Sequence, residues 1–126
     1  MNEKFIIKIL SIFTLIFVTN FSVYAHDSVK LQDSLKASTT KVDSIYFLIE
    51  LSEAYRFYDP KSGFVSADLA YELSCGIKDT VHMIESSNQK ALLQKDNGLN
   101  SLALGSVLNS LNLARLLENV QVLANT

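Results

Sequence analysis

Apolar positions recur along much of this chain in steps of three and four, the spacing of an α-helix that turns one face to a core. The clearest stretch runs from 41 to about 57. There Val42, Ile45, Leu48, Ile49, Leu51 and Tyr55 draw one wide stripe, while Glu50, Glu53 and Arg56 take the other side. Thr39 and Thr40 stand just before it, and the Thr40 to Asp43 spacing suits the free amides of a first helical turn. Asp59-Pro60 ends the pattern. Proline disfavours helix in the residue before it, whereas aspartate followed by proline caps and starts a new one. The second helix, to about 77, carries Phe64, Ala67, Leu69, Ala70, Leu73 and Ile77 on its apolar side. Small Gly63, Ala67 and Ala70 let two helix backbones come close, and so short a connection makes the two helices antiparallel.

Asp79-Thr80 repeats the stop-and-start signal and predicts a third helix to about 95. Its stripe is weaker, because Val81, Ile84, Ala91 and Leu92 are interrupted by Ser86-Ser87-Asn88-Gln89. Asp96-Asn97-Gly98 makes the next turn, with Gly98 free to take a positive φ. A last helix spans about 99 to 119. Leu99, Leu102, Leu104, Leu108, Leu111, Leu113, Leu116 and Leu117 cover most of its circumference, so it calls for neighbours on more than one side.

The N-terminal pattern differs in kind. Lys4 and Lys8 are followed by an apolar run from 9 to 18, then a more polar exit ending in Val23-Tyr24-Ala25. These are the three parts of a secretory signal, with cleavage expected after Ala25. A run of ten residues falls short of the roughly 20 needed to cross a bilayer as a helix. The expected divisions are a signal peptide at 1–25, a lead-in at 26–38, a first hairpin at 39–79, and a second hairpin with its extension at 80–126. In the lead-in, only Val29, Leu31 and Leu35 recommend a short helix. The expected location is outside the cytoplasm: periplasmic, cell-surface or secreted.

One proline and four glycines in 126 residues favour long helices over turn-rich β structure, so the fold class is all-α. The formal charge of −2 becomes −3 without residues 1–25, since Lys4 and Lys8 leave with Glu3. So mild a charge, with no run of Lys or Arg, gives no basis for a nucleic-acid partner or, once the signal is removed, a membrane partner. Cys75 is the one cysteine and has no internal disulfide partner; near Leu73 and Ile77 it is expected as a small buried hydrophobe.

A shift of 40 residues lays Gly63 on Ala103, Ala70 on Ser110, Leu73 on Leu113, Ile77 on Leu117 and Asp79 on Asn119. Small meets small and large meets large, as in stacked helical hairpins that bury each face on the next. Leu48, Leu51, Ser52 and Tyr55, with Gly63, Ala70 and the ending at 69–79, resemble a tetratricopeptide-type repeat. Asp33-Ser34-Leu35, the segment 39–43, the segment 51–56 and Asp59-Pro60-Lys61 are similar to the start of the exported repeat domains of Bacteroidetes-type sensor histidine kinases and related regulators. The resemblance implies a short right-handed solenoid of antiparallel hairpins. The sequence departs from the family at Phe64, Val65 and Ala67, and its third helix lacks the Asn-Leu-Gly-x-x-Tyr character. No membrane helix or kinase segment follows in these 126 residues, so signal transmission is not implied.

No catalytic, cofactor-binding or metal-binding constellation emerges. His82, flanked by Asp79 and Glu85 at three-residue steps, is the best isolated candidate and reads as a solvated helix start; His26 would be a free N-terminal residue. The aromatic group Tyr46, Phe47, Tyr55, Phe57 and Tyr58 is expected mainly in the core. The expected function is a non-enzymatic module for a protein or peptide partner, with Tyr46, Glu50, Glu53 and Tyr55 as candidate contacts. Its first and third hairpin helices should then touch and line a shallow face. Two alternatives stand beside it: a truncated N-terminal fragment of a sensor, whose leucine-rich last helix self-associates, and a small-ligand-binding helical domain.

Overall fold

The computed structural model describes residues 2–125. Met1 and Thr126, assigned from sequence to the signal and the last extension, lie outside the described residues. Among the described residues the chain forms five helices and no strand: α1 (Glu3–Ala37), α2 (Lys41–Tyr55), α3 (Pro60–Gly76), α4 (Thr80–Asp96) and α5 (Asn100–Ala124). Each packs on its chain neighbour, and α2 also touches α4, as expected of the two helices proposed to share a face.

The helix starts follow the capping chemistry in the sequence. Thr40 Oγ1 accepts the Asp43 amide, Asp59 Oδ1 the Ser62 amide and Asp79 Oδ1 the His82 amide, with Pro60 in the first turn of α3. Two helix ends use a left-handed residue. Gly98 has φ 75° and Lys78 has φ 57°, and in each case the next amide reaches back into the last turn, Leu99 to Gln94 and Asp79 to Ser74. Gly98 is the expected residue for that role; Lys78 carries a side chain in a conformation that disfavours one.

Ile45, Leu48, Ile49 and Ala70 form the core, with Leu35, Leu73 and Ile77 packed against it. Behind it, α3 is wedged close to its neighbours. A Cβ on Gly63 would come 3.1 Å from Leu93 Cδ2 and 3.3 Å from the Ser52 carbonyl, so the absent side chain sets the α2–α3–α4 spacing. The burial of α3 follows Gly63, Ser66, Ala67, Ala70 and Ser74, one narrow line of small residues.

The 40-residue shift reappears in burial. Gly63 and Ala103 are buried, as are Ala70 and Ser110, while Leu73, Leu113, Ile77 and Leu117 are all half-buried. Asp79 caps a helix, but Asn119 lies inside α5, which continues to Ala124 instead of ending near 119.

Residues 26–37 of the lead-in form the last part of α1, one helix of 35 residues through Ala25; α1 is long and apolar enough to cross a membrane, where the ten-residue apolar run alone was expected to fall short. Three further expectations need correction. Cys75 is exposed, because the buried line of α3 passes through Ser74 beside it. The polar interruption of the third helix is its buried face. Ser86 and Ser87 are buried, and their hydroxyls donate to the carbonyls of His82 and Ser106 at 2.7 and 3.0 Å. A small residue that satisfies its own hydroxyl packs as closely as alanine. Finally, none of the five aromatics is fully buried; Tyr46 and Phe57 are exposed.

Candidate functional site

The helical spacing of α2 places Tyr46, Ile49, Glu50 and Glu53 along one side, and that of α4 places His82, Glu85 and Gln89 opposite. Between them lies an open groove of about 430 Å³, whose wall also includes Asn88. Gln89 bridges the two helices: its Nε2 donates to Glu53 Oε2 at 2.7 Å, while its buried Oε1 has no partner among the described residues. At one end an ion pair ties the helix termini together. Arg56 Nε and Nη2 reach Asp96 Oδ2 and Oδ1 at 2.5 and 3.3 Å across 40 residues of sequence. The hydrogen bond to Asp96 raises the Arg56 pKa, and the same bond holds the Asp96 carboxyl below the usual aspartate range. Two-point contact of a planar guanidinium with a carboxylate fixes direction as well as distance.

At the other end His82 is already engaged. Its Nδ1 lies 2.6 Å from Asp79 Oδ2, and its Nε2 is 4.0 Å from Glu85 Oε2. Burial pushes the Asp79 carboxyl up, but the His82 imidazole and amide together pull it below its ordinary value. Asp79 thus serves the helix start twice, through backbone and ring. Among the described residues no group of three or more His, Cys, Asp and Glu is placed to hold a metal ion.

The four candidate contacts divide. Tyr46 and Glu50 line the groove, with Tyr46 also meeting Phe47 edge-on at 5.4 Å. Glu53 bridges to Gln89 and, with Glu50, faces a second cleft of about 460 Å³ shared with Tyr24, Asp27, Lys30 and Phe57. Tyr55 lies elsewhere: its hydroxyl accepts from the Gln32 side chain and its ring packs 5.5 Å from Tyr58, whose hydroxyl donates to Ser28. It fastens α1 to α2. The α4 wall was readable in part, since His82, Glu85 and Gln89 fall on one helical face.

Comparison with known proteins brings no relative to this geometry: no family model, curated protein or solved structure matches the chain.

Proposed function

We propose that this chain is a non-enzymatic, exported helical-repeat module that holds a protein or peptide partner in the groove between α2 and α4. The single observation that carries the reading is that groove. It is built from side chains of two helices one repeat apart, and they touch each other. The tetratricopeptide-like solenoid is part of the proposal, supported by the burial recurring at 40 residues and by the Arg56–Asp96 pair at that same separation. The partner segment carries Lys or Arg, because Glu50 and Glu85 line the groove without a Lys or Arg, and the one imidazole there, His82, is already engaged by Asp79.

Residues 1–25 act as the export signal, consistent with the exposed apolar part of α1. Ser28 and Gln32, which hold Tyr58 and Tyr55, and Leu35, which packs on the core, all lie after Ala25 and stay with the remaining helix once the signal is gone; the Tyr24–Phe57 ring contact leaves with the signal.

Titration with a panel of extended peptides of graded charge tests the reading. Basic peptides should bind and acidic ones should not. Glu50→Gln with Glu85→Gln should weaken binding by up to about 2 kcal/mol, since each exposed charge pair is worth about 0.2–1 kcal/mol. Indifference of every peptide to those two substitutions would remove the groove from consideration.

A further inference from the structure

The outer side of α5 has chemistry that the groove does not use. Between Asn100 and Ala124 there are only two charged residues, Arg115 and Glu118, and both are exposed. They lie in a line with exposed Leu104, Leu108, Leu111 and Val122, at successive steps of four, three, four, three and four residues. That alternation is the 3.5-residue period of a helix-to-helix seam, and it leaves the face packed on α4 to Ala103 and Ser110.

We propose that the part of this seam from Leu111 to Val122 pairs with the same part of a second copy of the chain, antiparallel, about a two-fold axis between positions 116 and 117. The charges select this register. It sets Arg115 of each copy across from Glu118 of the other, and Leu111 across from Val122, every contact occurring twice. Parallel pairing would set Arg115 against Arg115 and Glu118 against Glu118. The antiparallel register displaced by one heptad would set Leu111 against Arg115 and Leu108 against Glu118. A two-fold interface needs a surface complementary to itself, and among these registers only the proposed one supplies opposite charge to both ionised groups.

The test is register-specific crosslinking of the full chain in a Cys75→Ser background. Leu111→Cys with Val122→Cys places two thiols about 16 Å apart within one helix, too far for an internal disulfide. Mild oxidation should therefore give a covalent dimer. Leu104→Cys with Val122→Cys, the register displaced by one heptad, should stay monomeric on a denaturing gel. Adding Arg115→Glu to the first pair should cut the dimer yield about tenfold through like-charge contact, and adding Glu118→Arg as well should restore it. All of these positions are exposed, so none of the changes removes core packing. Equal crosslinking in both registers, no crosslinking in either, or a charge reversal without effect or without rescue would each overturn the proposal. None of these outcomes bears on the groove between α2 and α4.

Discussion

The hairpins α2–α3 and α4–α5 are laid out alike but held by different contents. The first turns its large apolar side chains inward: Ile45, Leu48, Ile49 and Leu51 are buried, the first three clustered with small Ala70. The second does the reverse. Its α4–α5 interface is made from Ser87, Gln94, Ala103 and Ser110; Leu93 of α4 is buried beside Gly63 of α3, but Leu102, Leu104, Leu108 and Leu116 of α5 stand in solvent. Hydrogen bonds fill the gap. Ser106 Oγ donates to Gln94 Oε1, and Asn109 Nδ2 reaches both Ser87 Oγ and the Tyr71 hydroxyl. A close helix approach needs small residues on one side, but it does not dictate where the large ones go. In the first hairpin they stabilise the fold, and on the outer side of α5 they remain free for contacts beyond it.

The sharpest way to break that contrast is to truncate one large side chain in each hairpin. Ile45 is fully buried, so Ile45→Ala should lower unfolding free energy by about 2–5 kcal/mol. Leu102 is 58 % exposed and outside the α5 seam, and Leu102→Ala should change it by no more than about 0.5 kcal/mol. Urea unfolding of the two variants measures both. Comparable losses would mean that α5 buries its leucines as thoroughly as α2 does.

The glycines offer a second contrast, in sign instead of size. A methyl at Gly63 meets Leu93 and the Ser52 carbonyl, whereas nothing lies within 4 Å of a Cβ at Gly105. Gly63→Ala should therefore destabilise by about 1–3 kcal/mol through overpacking. Gly105→Ala, in the middle of α5, should stabilise by about 0.5–1 kcal/mol by restricting the unfolded chain. Opposite shifts of the thermal midpoint are the expected result. If both variants gain, α3 is not held tightly between its neighbours.

Sequence reasoning reached the features that are local and backbone-driven. Thr40, Asp59, Pro60, Asp79 and Gly98 act as their chemistry dictates, because a cap or a turn is decided within three or four residues. It failed where burial depends on which neighbour arrives. Ser86 and Ser87 interrupt an apolar stripe in one dimension, yet both are buried: Ser86 satisfies its hydroxyl on its own helix, and α5 closes over Ser87, which donates to the Ser106 carbonyl. Cys75 looks like core by its neighbours, but Ser74 is the residue that faces inward. Tyr55 looked available until α1 proved to continue as one helix past Ala25 and bring Gln32 to its hydroxyl. Half the candidate groove was therefore legible on α2, and its α4 wall was visible only as a face without an assigned role.

The smallest contrast lies at the helix starts. Side-chain oxygens cap α2, α3 and α4, while Leu99 ahead of α5 has none to offer. Leu99→Asp should supply one and raise stability by about 0.5–1 kcal/mol. Carboxylate caps also leave a pH signature. The Ser62 hydroxyl and amide hold Asp59 below the ordinary aspartate range, and Asp79 is held below it by His82 against the effect of burial. A folded-state pKa below the unfolded one means that the unfolded chain binds more protons in acid. The stabilisation is then complete above the unfolded value and is lost as pH falls through the folded one. Stability should decline below about pH 4, with Asp79→Asn flattening that decline and Leu99→Asp steepening it. An acid limb of Leu99→Asp that superimposes on the parent's would show that the new carboxylate does not cap.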